Sequence, residues 1–140
     1  MSEIQLMVAT AVTAGFLAFL MGMFWYHPKV LGTRWMEARG QKANGSRPDI
    51  KQIIISLLLW LLAACFYTFL TSIIGVNEPP GFFSLSCLLW VAFAMPPLVM
   101  GALYTGYAFE AVSIDASYQL AGYYVFALVH IIMNVLFAAV

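Results

Sequence analysis

Long apolar runs and short polar breaks alternate along the chain. The runs cover about 4–26, 52–74, 82–106 and 114–138, and the breaks cover 27–51, 75–81 and 107–113. Each run is near the ~20 residues that carry a helix across a hydrocarbon core. Backbone polar groups in lipid must be satisfied within their own segment, which makes each run helical. The pattern predicts an all-α integral membrane protein, a single domain over 1–140 with four transmembrane helices. After the first run the pattern changes. Val30, Leu31, Trp35 and Met36 share one helical side, while Lys29, Arg34 and Arg39 lie mostly elsewhere. This predicts a short amphipathic interfacial segment, opened by Pro28 and ended by Gly40.

Composition agrees and adds an orientation. The chain is 64% hydrophobic and 9% charged, against roughly 25% charged residues in a soluble domain. Lipid must therefore solvate most side chains. Lys29, Arg34, Arg39, Lys42, Arg47 and Lys51 all fall between 29 and 51, and with Glu37 and Asp49 they give that stretch a local balance of +4. Lys and Arg resist translocation, so the 27–51 loop is expected in the cytoplasm, with both termini outside. Such a loop attracts membrane lipids, anionic headgroups above all. A loop pressed against headgroups is a poor nucleic-acid site. The first run follows Glu3 and no basic residue, which predicts a retained anchor instead of a cleaved signal. Cys65 and Cys87 lie in apolar runs, where thiols behave as small hydrophobes, so neither a disulfide nor a zinc site is expected.

Details within the runs predict packing. Ala11, Gly15, Ala18 and Gly22 are spaced four, three and four apart, which puts them on one face. Small stripes let membrane helices approach closely, either within one chain or between two copies. Pro96 and Pro97 remove two helix donors near the middle of the third run and predict a kink that frees the Ala92 and Phe93 carbonyls. Ser113 and Asp115 read as the cap and first-turn acid of the fourth helix. A faint repeat relates Phe24, Pro28, Val30, Leu31 and Gly32 to Phe93, Pro97, Val99, Met100 and Gly101 at an offset of 69.

Candidate chemistry concentrates in the fourth run. Asp115, Gln119, Tyr123, His130 and Asn134 form a broad polar stripe. Polar residues in a span face the bundle interior or a cavity. The stripe is either an interhelical hydrogen-bond network or the lining of a ligand or solute path. Glu110 and Asp115 are placed to pair with Arg34 or Arg39. His27 and His130 belong at different depths and have no acidic or Cys neighbour at ligand spacing, so no metal or other cofactor is expected. A proton-coupled transporter needs an acid deep in a span, and the central parts hold none. No nucleophile elbow, Gly-rich phosphate loop or paired-His helix is visible, so the reading leans away from an enzyme.

One stretch carries a resemblance. Gly22 to Trp35 reads GMFWYHPKVLGTRW. It resembles the signature W-Y-x-P-x-x-F-G-x-x-W-M of an uncharacterised family of small bacterial and fungal membrane proteins, domain of unknown function 1761. The matching residues are Trp25, Tyr26, Pro28, Gly32, Trp35 and Met36, with Leu31 where the family usually has Phe. The likeness covers nearly the whole chain, including Trp90 to Pro97 and Ala116 to Tyr118. Family members often carry basic residues in the third loop, where this chain has Glu110 instead. The resemblance implies four spans and a bacterial cell (inner) membrane, and it brings no activity. Three functions remain open. The first is a non-catalytic protein acting by self-association, lipid binding or membership of a membrane complex. The second is a small-solute transporter or channel lined by the fourth helix, and the third a lipid-modifying enzyme.

Overall fold

The protein is described by a computed structural model covering residues 2–42 and 48–137. Arg47 and Gly45 of the basic loop lie outside the described residues.

Helix α1 (Glu3–Trp25) starts at a capping box. The Gln5 N–H donates to Ser2 Oγ at 3.3 Å, and the Ser2 N–H donates to Gln5 Oε1 at 2.9 Å. Pro28 opens a π-helical turn (Pro28–Gly32), which runs into the short helix α2 (Thr33–Ala38). Gly40 follows with φ 71°, and the Gln41 N–H closes the end onto the Met36 carbonyl at 2.9 Å. This is the expected amphipathic segment, entered through a turn wider than an α-helical one. Helix α3 (Ile50–Ile74) begins after Asp49, whose N–H donates to Gln52 Oε1 at 3.1 Å, and ends at Gly75 with φ 72°.

The third span is continuous from Pro79 to Thr105. It consists of α4 (Pro79–Leu89), a π-helical turn (Trp90–Ala94) and α5 (Met95–Thr105). Its start is three residues earlier than the pattern predicts. Pro79 and Pro80 are its first helical residues, where a missing N–H costs nothing. The kink expected at Pro96 and Pro97 takes the form of a wide turn. The Met95 N–H reaches back to the Trp90 carbonyl, and the prolines fall in the first turn of α5. Pro28 and Pro97, paired by the repeat, thus act differently: one leads out of a span and the other lies within one.

Helix α6 (Phe109–Phe137) corrects a second boundary. Ser113 does not cap it. Its hydroxyl lies within the helix and donates to the Phe109 carbonyl at 2.9 Å. Glu110, and not Asp115, is the first-turn acid.

Among the described residues four helices are long and apolar enough to cross a membrane. Helix α6 is the hub: α1, α2, α4 and α5 all pack on it, and α3 packs chiefly on α1. The core is built from Ala14, Ala18, Trp60, Ala64, Tyr67, Phe82, Phe126, Ala127 and Val129. Ala11, Gly15, Ala18 and Gly22 are all buried. A Cβ at Gly15 would lie 2.8 Å from Leu61 Cα, and one at Gly22 would strike the Tyr118 hydroxyl. The small stripe is therefore occupied inside the chain, by α3 and α6. It offers no face to a second copy. Large apolar side chains such as Ile55, Phe66 and Leu103 point outward, as lipid requires. Helix α5 contains no buried residue.

Candidate interfacial site

The corner after α1 folds back on α6. Trp25 ends α1 and Tyr26 caps it. His27 precedes the π-helical turn, its Nδ1 accepting from the Lys29 N–H at 3.2 Å. The Gly32 N–H donates to the His27 carbonyl at 3.1 Å. A Cβ at Gly32 would overlap the Tyr26 carbonyl, so the turn admits only glycine there. Pro28 presents its carbonyl to the Thr33 hydroxyl at 2.9 Å. These contacts aim Tyr26 and Trp35 at one carboxylate. The Tyr26 hydroxyl donates to Asp115 Oδ1 at 2.6 Å, and the Trp35 Nε1–H donates to the same oxygen at 2.7 Å. The two rings meet edge to face at 5.2 Å. Met36 is half-buried beside them on α2.

Arg39 completes the cluster. Its guanidinium lies between the Trp35 and Tyr107 rings, 4.5 and 4.4 Å from their centroids. Its nearest nitrogen is 3.9 Å from Asp115 Oδ2, too long for a hydrogen bond. Asp115 is thus committed as an acceptor, with a cation nearby. It anchors α2 to α6. From there an aromatic series runs into the bundle. Tyr26 packs on Tyr118 at 5.0 Å, Tyr118 on Trp60 at 5.4 Å, and Trp60 on Phe126 at 5.6 Å. The Trp60 indole donates to the Tyr118 hydroxyl and sits over Gly122, where a Cβ would collide with it.

The polar stripe of the fourth span does not act as a unit. Asp115 belongs to the corner. His130 lies about 22 Å further along, by 1.5 Å per residue, in a separate buried cluster. Its Nε2 is 3.0 Å from the Thr68 hydroxyl and its Nδ1 is 2.8 Å from the Phe126 carbonyl. Beside it, the Tyr67 hydroxyl donates to the Phe82 carbonyl and meets Ser86 Oγ, both at 2.9 Å. Tyr123 contributes its carbonyl to the Ser86 hydroxyl at 2.9 Å and stacks near Tyr67 and Phe126. Gln119 and Asn134 are half-buried and, among the described residues, make no side-chain hydrogen bond. Thr68→Val is expected to lower stability by about 1 kcal/mol, the scale of an interhelical hydrogen bond in a membrane. Unfolding by denaturing detergent will measure it; no change would mean that His130 is held by packing alone.

Among the described residues two surface concavities stand out, and neither is lined by Gln119, Tyr123, His130 or Asn134. One, of about 610 Å³, is a shallow apolar groove along α4 and its π-helical turn, with Cys87 and Val91 among its walls. Pro96 and Pro97 are not among its lining residues. The other, of about 190 Å³, lies at the corner between Trp25, Leu31, Arg34, Glu110, Ser113, Ile114 and Ser117. At its rim Arg34 Nη2 and Nε both reach Glu110 Oε1, at 2.7 and 2.9 Å. The sequence offers Glu110 as a partner for Arg34 or Arg39 and Trp25 as an interface residue. Ser113 and Ser117 escape that reading. Their only sequence signal is periodic: 110, 113 and 117 share a face of α6.

A family model described as "Protein of unknown function (DUF1761)" matches residues 9–131. No curated protein and no solved structure matches the chain. The match begins within α1, ends within α6 and includes both halves of the corner, the Trp25–Met36 signature and the Asp115 that receives it. The chain belongs to the DUF1761 family of proteins of unknown function.

Proposed function

We propose that this protein acts by binding and not by catalysis, and that what it binds is a phospholipid headgroup at the α1–α2–α6 corner. The observation that carries this reading is the recess rimmed by Arg34 and Glu110, with Trp25, Leu31 and Ile114 as its apolar walls. Apolar walls beneath a charged rim match the change in polarity at the edge of a bilayer. Trp and Arg are the side chains that settle at that depth. The basic loop continues from this end of the bundle, which supports a cytoplasmic placement and attraction to anionic lipid around it. A solute path along α6 has less support, because its polar residues are divided between two separate clusters. A lipid-modifying enzyme would need a nucleophile or base at the recess. Of the groups that line it, Glu110 is paired with Arg34, the Ser113 hydroxyl is held by the Phe109 carbonyl, and Ser117 has no base within hydrogen-bond distance among the described residues.

Native mass spectrometry of the protein extracted from its membrane tests the proposal. A retained phospholipid is expected, and Arg34→Ala should weaken its retention about tenfold, the equivalent of about 1.4 kcal/mol. No retained lipid, or equal retention in the variant, would overturn it.

A further inference from the structure

The recess also indicates which headgroup it takes. Resting on the phospholipid reading above, we propose that it selects a zwitterionic headgroup with a primary ammonium, phosphoethanolamine, with the phosphate on Arg34 and the ammonium on Glu110.

The argument begins with the ion pair. Both Arg34 contacts fall on one Glu110 oxygen, Oε1, from Nη2 and Nε. A guanidinium offers five N–H donors and a carboxylate about four acceptor sites, so each partner keeps capacity after pairing. Both side chains are well exposed, at 67% and 48%. A ligand with one anionic and one cationic group can engage both and leave the pair intact.

Charge balance then discriminates. The lining holds one cation and one anion, and its other residues are neutral. A net-neutral headgroup leaves the site balanced. A phosphoglycerol headgroup brings a negative charge to Arg34 and only neutral hydroxyls for Glu110, which then faces an anion across a small recess with no cation from the ligand. A phosphocholine headgroup balances the charge, but its quaternary ammonium has no N–H for the Glu110 carboxylate. Proteins that hold quaternary ammonium use aromatic cages, and this recess has one aromatic wall, Trp25. A primary ammonium donates to the carboxylate directly, as a charge-assisted hydrogen bond.

The remaining lining fits the same ligand. Ser117 is exposed and makes no side-chain hydrogen bond among the described residues, so its hydroxyl can donate to a phosphate oxygen. The Ser113 hydroxyl already donates to Phe109 and keeps lone pairs for an ammonium. At about 190 Å³ the recess is smaller than the 300–1,000 Å³ of drug-sized sites. It suits a headgroup whose acyl chains remain in the bilayer.

The test is a competition. The purified full chain is delipidated and offered equal amounts of phosphatidylethanolamine, phosphatidylcholine and phosphatidylglycerol with identical acyl chains, and bound lipid is read by native mass spectrometry. Wild type is expected to retain the ethanolamine lipid about tenfold over each of the others. Glu110→Gln should abolish that preference while still binding phospholipid, and Arg34→Gln should weaken all three. Both residues are exposed, so the unfolding midpoints of the variants should match wild type, and that check accompanies each measurement. Equal retention of phosphatidylcholine, or preference for phosphatidylglycerol, in wild type would overturn the headgroup assignment and leave the phospholipid reading standing. Undiminished binding of all three by Arg34→Gln would overturn the phospholipid reading itself.

Discussion

Asp115→Ala is expected to detach α2 from the bundle and to lower stability by about 3 kcal/mol. The carboxylate accepts two hydrogen bonds on one oxygen, from Tyr26 at 2.6 Å and Trp35 at 2.7 Å. Bonds to a charged group contribute about 1.5–3 kcal/mol each. The site is partly open, with 23% of the Asp115 side chain exposed, so the lower end of that range applies. Removing the acceptor also leaves the two donors half-buried and unpaired. Asp115→Asn keeps the shape and one acceptor oxygen, and should lose about half as much. A double-mutant cycle isolates the contact. Tyr26→Phe should cost about 1.5 kcal/mol in wild type and close to nothing in the Asp115→Ala background. Equal costs in both backgrounds would show that the bond contributes nothing. Trypsin gives an independent readout. Arg39 is shielded by Trp35 and Tyr107, and cleavage after it should accelerate once α2 is released.

Gly15→Leu should be as damaging, for a steric reason. Its Cβ would lie 2.8 Å from Leu61 Cα and 3.0 Å from the Trp60 carbonyl oxygen. Both are backbone atoms, so no side-chain rotation relieves the overlap and α1 must move away from α3. Overpacking of this kind costs typically 1–3 kcal/mol, and a backbone obstruction belongs at about 3 kcal/mol. Gly101→Leu is the control. Nothing lies within 4 Å of a Cβ there, so that change should stay within about 0.5 kcal/mol. Denaturing-detergent titrations of the two variants should separate clearly. Similar midpoints would mean that α1 and α3 are not held at this distance.

The two predictions mark what could be read from residues alone and what could not. Gly15 was legible as a close-packing position, because a small stripe on a membrane helix has one physical use. Its partner was not, since the same stripe serves a neighbouring helix or a second copy equally well. The Trp25–Met36 signature was legible as a turn at the membrane edge, from Pro28, Gly32 and the aromatic residues. That Tyr26 and Trp35 serve Asp115 was hidden, because 89 and 80 residues separate the partners. Asp115 reads as a helix start because an acid after a serine usually marks one. A helix that begins six residues earlier gives the same local signal and sets Asp115 against a different neighbour.

The sequence by itself determined the four spans, the basic amphipathic segment after the first, and the fourth run as the most polar helix. These follow from run length, from the cost of unsatisfied backbone in lipid and from where charge can sit, all of which are local properties. Only the tertiary structure decided how the polar groups divide. It split the stripe of α6 into an Asp115 corner and a His130 cluster and turned the double proline into a wide turn. It also brought Arg34, Glu110, Ser113 and Ser117 around one recess. Periodicity tells which residues share a face. Which face meets which helix, and at what height, depends on the packing of all the spans at once.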